Sequence, residues 1–152
     1  ADVIYSRALK NVYEKKPNGY QLIGNTLYWD SPFDKDLILV QNSCPCNCLM
    51  FSRKAQEDAG YFDTSLTTSE DWAHSVEMSR KNYFHETKII DCYCSFRTGF
   101  GEQMTGTRTG YTDHLPYLYK KWRPYAKNLQ WVTEAQNNSL KSRGINPADY
   151  GL

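Results

Sequence analysis

A chain of 152 residues fits one domain and is long enough to enclose a real core. Eighteen basic side chains against seventeen acidic ones leave a formal charge of +1, which argues against a nucleic-acid surface driven by bulk charge. The longest apolar run, Leu37 to Val40, is far too short to cross a bilayer.

Asp2 to Ala8 reads as a buried strand leading into Lys10-Asn11-Val12-Tyr13-Glu14. A chain that opens in mid-strand predicts a fragment or an excised domain. Lys15-Lys16-Pro17-Asn18-Gly19 is a turn signal and predicts a hairpin or loop. Gln21 to Trp29 has mixed periodicity, and Asp30-Ser31-Pro32-Phe33-Asp34 then breaks the chain. Leu37-Ile38-Leu39-Val40 follows as either a short helix or a strand.

Five cysteines are an odd number, in no spacing familiar from secreted disulfide scaffolds. Cys46 to Phe51 reads as a strand, and in a strand the alternation of Cys44, Cys46 and Cys48 would put their thiols on one face. Cys92 and Cys94 alternate likewise. Three ligands two residues apart on a rigid strand converge poorly on a tetrahedral ion. Buried thiols of a reducing compartment are one reading, a metal or redox site a second, and disulfides a third.

Arg53 to Ala59 reads as a helix, stopped by Gly60 in a left-handed position. From Gly60 to Trp72 the chain makes a turn, a polar loop and a pair of carboxylates at a helix mouth. Thr68 and Asp71 have the spacing of a capping box, in which hydroxyl and carboxylate each take a backbone N–H. Trp72 to Lys81 is predicted as helix, with Trp72, Val76, Ser79 and Tyr83 near one face. Acidic residues in a first turn are favoured by the helix dipole, by roughly 0.3–1 kcal/mol each. Glu70 and Asp71 therefore need no chemistry to explain them.

Thr87 to Arg97 is the best strand in the chain, alternating and rich in β-branched residues. Thr98 to Gly110 holds four glycines and four threonines, the composition of a mobile loop. Its backbone and hydroxyls, with Arg97 or Arg108, can also hold phosphate. Asp113 to Trp122 predicts a helix with Pro116 in its first turn and Leu115, Leu118, Tyr119 and Trp122 as its apolar stripe. Pro124 breaks it. A second helix then runs toward Lys141 with Gly144 as its stop, and Gly144 to Leu152 reads as a loop. His74, His85 and His114 show no partner spacing and read as surface or capping histidines.

Cys48-Leu49-Met50-Phe51-Ser52-Arg53-Lys54, Ala59-Gly60-Tyr61-Phe62-Asp63, Ser69-Glu70-Asp71-Trp72 and Arg80-Lys81-Asn82-Tyr83 follow one another in order. Together they resemble the acceptor half of a family-2 glycosyltransferase of the GT-A fold, most clearly over residues 36–105. The resemblance implies an α/β fold: part of a mixed sheet flanked by helices, with the N-terminal nucleotide-binding half absent. It divides the chain into an acceptor-side half, 1–125, and a C-terminal helix and tail, 126–152.

The implied activity is transfer, with inversion, of a sugar from a nucleotide-diphosphate donor to a hydroxyl acceptor. By that resemblance Asp71 is the catalytic base, and Glu70, Trp72 and Asn42 meet the acceptor. Arg97, Thr105 and Arg108 are the candidates for the donor diphosphate. Trp72 has a second role open to it, as an anchor of its helix in the core. The family holds Mg²⁺ or Mn²⁺ through an Asp-x-Asp motif, expected upstream of Ala1, so no metal ligand is expected in this chain. Many members carry a His soon after a Tyr-Arg-like pair. Here Phe96-Arg97 leads into Thr98-Gly99 instead, and His114 is too far along to be carried over.

The chain alone is accordingly expected to be inactive, needing the missing half in cis or in trans. An excised half leaves an open strand edge, which predicts self-association. A cytoplasmic location, free or at a membrane surface, and no nucleic-acid partner complete the expectation. Two other classes stay open. One is a non-catalytic saccharide-binding or interaction domain of the same fold. The other is a thiol-based metal or redox protein using Cys44, Cys46, Cys48, Cys92 and Cys94.

Overall fold

Strands β1 (Val3–Lys16) and β2 (Gly19–Trp29) fold into the hairpin that Pro17-Asn18-Gly19 announces, with Gly19 at φ +129° making the turn. The computed structural model describes residues 2–29, 31–43, 45–81, 83–98 and 113–152, with backbone alone at 28–29, 88–93 and 95–98. Strand β1 is the hub of the sheet. It pairs antiparallel with β2 and with the short β3 (Leu49–Phe51), and parallel with β4 (Phe84–Thr98). The four-stranded sheet is therefore mixed, and four α-helices accompany it among the described residues. The fold class is α/β.

Helix α1 (Arg53–Ala59) has its predicted bounds because both ends are set locally. The Ser52 hydroxyl accepts the Ala55 N–H at 3.1 Å, and Gly60 at φ +87° ends the helix. Helix α2 (Glu70–Lys81) begins two residues ahead of the expected Trp72. Helices α3 (Leu115–Trp122) and α4 (Gln130–Lys141) follow, the first with Pro116 in its opening turn. Tyr83 lies beyond α2 and is exposed, so it does not extend that helix's buried stripe as expected.

Cys46–Cys48 is a 3-10 turn and not the start of a strand. Pro45 is extended, and the Cys48 N–H closes onto the Pro45 carbonyl at 2.9 Å. With three residues per turn, positions 46 and 48 point to different sides. Cys46 is exposed and Cys48 buried. The expected common face for the thiols is thus corrected; Cys44 lies outside the described residues, and Cys92 is described by its backbone alone. Residues 144–152, expected as a loop, contain a 3-10 turn at Pro147–Tyr150, where Asn146 Oδ1 accepts the Ala148 N–H at 3.3 Å.

Helix α2 stands between two apolar clusters. Trp72, Ala73 and Val76 pack with Ile38, Leu39 and Leu66 and with Leu118, Trp122, Val132 and Leu140 of the last two helices. Met78 joins Val3 and Ala55 in a smaller cluster beside the sheet. The 126–152 segment belongs to the larger core through Ala126, Val132 and Leu140.

Three consecutive carbonyls at the 3-10 turn Leu37–Leu39 show how that core closes. Ile38 O accepts Trp72 Nε1–H at 2.6 Å, Leu39 O accepts Gln136 Nε2 at 2.8 Å, and Val40 O accepts the Tyr119 hydroxyl at 2.7 Å. One side chain from each of α2, α4 and α3 thereby satisfies a carbonyl that strand pairing does not reach. Gln136 is fully buried for this reason, although its helix is only weakly amphipathic.

His74, also on α2, is buried with its ring against Phe51 and Phe62 and Nε2 3.2 Å from Gln56 Oε1. Burial pushes its pKa below the ordinary 6.5, and the nearby Glu77 charge offsets this in part. The unfolded chain then takes up the proton first. Stability is complete above the unfolded pKa and is lost as pH falls through the folded one. Urea midpoints should fall from about pH 7 to about pH 5, and His74→Gln should flatten that portion of the profile.

Candidate active site

The loop between α1 and α2 has no ladder to hold it, so side chains do. Asp63 makes an Asx turn, accepting the Ser65 hydroxyl at 2.6 Å and the Ser65 N–H at 3.0 Å. Those two bonds hold its carboxyl below the usual range. At the loop's other end His114, just before α3, reaches Thr67. Its Nε2 lies 3.2 Å from Thr67 N and 3.0 Å from Thr67 Oγ1. An amide N–H aimed at Nε2 assigns the ring proton to Nδ1. Expected as a surface or capping residue, His114 instead ties down the loop that leads to Glu70 and Asp71. Forty-seven residues separate the pair, and no local pattern could have announced it.

The expected capping box is not formed. Helix α2 opens from the Ser69 carbonyl, which accepts the Ala73 N–H at 2.9 Å. The cap therefore sits at Ser69, one residue later than the box requires, and the position three residues on is Trp72. Thr68 Oγ1 is left buried with no hydrogen-bond partner, while Asp71 Oδ1 accepts the Trp72 N–H at 2.7 Å. Ser69 adopts φ +66°, a left-handed conformation that costs a non-glycine residue roughly 1–2 kcal/mol.

Thr68, Ser69 and Glu70 each keep a buried side-chain oxygen without a partner, as does Ser43 beside Asn42. Such atoms typically cost about 1–3 kcal/mol apiece. Strain and unsatisfied groups together at one helix mouth are a feature of sites that wait for a ligand. Ser69→Gly should relieve the backbone and remove one orphaned hydroxyl. It should raise unfolding stability by roughly 1 kcal/mol in urea titration, after the entropy that glycine adds to the unfolded chain. A destabilised variant would refute the strain account.

The structure brings Glu70 and Asp71 together as half-buried carboxylates in the first turn of α2. Partial desolvation of the thiol, and then the neighbouring Asp71 carboxylate, push the pKa of Cys46 up. Trp72 is 1 % exposed, with its ring centroid 5.0 Å from that of Trp122 and 6.2 Å from that of Tyr119. It has no ring face to offer a sugar, so of its two expected roles the geometry favours the core anchor. Asn42 is exposed on the segment that follows the Leu37–Leu39 turn.

The candidates for the donor side fall largely outside this picture. Arg97 is described by its backbone alone, in β4, and Thr105 and Arg108 lie outside the described residues. Among the described residues no three His, Cys, Asp or Glu side chains are grouped to hold a metal, and no helix is long and apolar enough to cross a membrane. No family model matches the chain, and neither a curated protein nor a solved structure matches it.

Proposed function

We propose that the chain is the acceptor-side part of an inverting glycosyltransferase of the family-2, GT-A kind, with Asp71 as its general base. One observation supports this reading above the others. The half-exposed Asp71 carboxylate sits at a strained helix mouth where Thr68, Ser69 and Glu70 hold polar atoms without partners. The ordered motifs from Cys48 to Tyr83 supply the rest.

An acceptor hydroxyl has a pKa far above neutrality, so its proton must pass to a base as the new bond forms. The acceptor oxygen attacks the anomeric carbon, the nucleoside diphosphate leaves from the opposite face, and Asp71 takes the hydroxyl proton. Glu70 offers a second carboxylate for a neighbouring sugar hydroxyl. Trp72 acts by holding the start of α2 in place through Ile38. A divalent cation, Mg²⁺ or Mn²⁺, would neutralise the departing diphosphate. The described residues offer it no ligand set, so no step assigned to this chain passes through it.

The test is donor turnover by the protein in its natural length. Nucleoside-diphosphate sugars are supplied with Mn²⁺ and a panel of saccharide acceptors, and release of the nucleoside diphosphate is followed. Release that depends on an acceptor is expected. Saccharide binding without release would transfer the assignment to a non-catalytic binding domain, and neither binding nor release would end both readings.

A further inference from the structure

A cavity of about 450 Å³ opens at the end of α2 opposite the Asp71 carboxylate. Its size lies within the ordinary range for small-molecule sites. The helix rises about 1.5 Å per residue, which puts Arg80 roughly 13.5 Å along the axis from Asp71. The lining combines three cations, Lys35, Arg80 and Lys81, with three aromatic rings, Phe33, Tyr83 and Phe84. No carboxylate stands among the described lining residues.

Arg80 and Lys81 belong to the last turn of α2, where the helix dipole favours cations on its own account. The dipole explains neither Lys35, from the segment ahead of the Leu37–Leu39 turn, nor the state of the Arg80 guanidinium. That side chain is 14 % exposed and poorly bonded. Nε donates to Ser79 Oγ at a long 3.3 Å, and Nη1 stands 3.6 Å from Asp36 Oδ1, beyond hydrogen-bond distance. Nη2 is buried with no hydrogen-bond partner. A guanidinium fork matches an oxyanion with two parallel N–H bonds, and here it is largely unused. Lys81 Nζ donates to the Asp58 carbonyl and has two further N–H groups.

We infer that this cavity binds a small phosphate monoester whose other end is a planar ring. Near neutral pH such a group carries close to two negative charges, which three cations match better than a single carboxylate would. Its oxygens engage the Arg80 guanidinium in place of the distant Asp36, and Lys35 and Lys81 neutralise the remaining charge. Phe33 and Phe84 already stack on each other, with centroids 3.9 Å apart and planes 15° apart. Tyr83 is 80 % exposed and offers its ring to the planar end of the ligand. The site does not depend on the reading of Asp71 as a base.

Amide NMR shifts are followed as the chain is titrated with phenyl phosphate, adenosine monophosphate, inorganic phosphate and adenosine. The expected result is that a ring-bearing phosphate binds about tenfold or more tighter than inorganic phosphate or adenosine, with shifts centred on Ser79, Tyr83 and Phe84. Whichever of the two ring-bearing probes binds tighter tells whether the ring joins the phosphate directly or through a sugar. Arg80→Gln should weaken that binding by about tenfold or more, the worth of a charged hydrogen bond. Lys35→Glu reverses a charge at an exposed position and should weaken it as well, which keeps the test usable if Arg80→Gln does not fold. Asp71→Asn should leave it unchanged. Inorganic phosphate or adenosine binding as tightly, shifts centred elsewhere, or full affinity in Lys35→Glu or in folded Arg80→Gln would each overturn the inference. None of these readouts measures sugar transfer, so a failure here and a failure of the enzymatic reading are told apart.

Discussion

Asp71→Asn should lower acceptor-dependent sugar transfer by about 10²–10⁴-fold, the usual worth of a positioned general base. The amide keeps the size of the side chain and retains an oxygen for the Trp72 N–H, a bond of 2.7 Å in the wild type. The start of α2 should therefore stay in place, and the unfolding midpoint should barely move. What the amide cannot do is take a proton. The loss belongs in kcat, with KM for the acceptor near its wild-type value, because binding does not need the base to be ionised. Wild-type turnover in this variant would remove Asp71 from the chemistry. A loss confined to KM would turn it into a binding residue.

Trp72→Ala should cost roughly 3–5 kcal/mol of stability, the range for removing a large aromatic side chain from a packed core. The ring is enclosed by Trp122 and Tyr119, and its Nε1–H satisfies the Ile38 carbonyl. Truncation leaves a cavity and an unpartnered carbonyl in the same place. Against a total stability of about 5–15 kcal/mol for an ordinary domain, that brings the chain close to unfolding. Trp72→Phe should cost less, since it fills most of the space and gives up the hydrogen bond. Urea unfolding of both variants measures the difference. A sugar-stacking role makes the opposite prediction, in which acceptor KM rises steeply in Trp72→Ala and stability stays put.

These two neighbours show how differently adjacent residues in one motif are used. At positions 71 and 72 the chain reads Asp-Trp, and a motif treats them as one unit. Helical geometry does not. Successive residues point about 100° apart, so Trp72 enters the core while Asp71 is left half-exposed at the helix mouth. The unsatisfied oxygens of Thr68, Ser69 and Glu70 were not legible from residue types, because satisfaction depends on which atoms the fold places within reach.

Where structure depends on near neighbours, the residues announced it. Gly60 ends α1, Pro17-Asn18-Gly19 turns the hairpin, and Pro116 opens α3, since each acts through its own backbone or that of residues up to four away. Where the deciding contact lies far along the chain, the residues were silent or misleading. The Cys46–Cys48 alternation looked like a strand, and Thr68 looked like a cap until the left-handed Ser69 moved the helix start. Only the folded chain sets β4 parallel to β1, hands three successive carbonyls to Trp72, Gln136 and Tyr119, and closes His114 on Thr67. Such pairings are chosen by packing and by the need to satisfy buried polar groups across many tens of residues. Local periodicity carries no record of them.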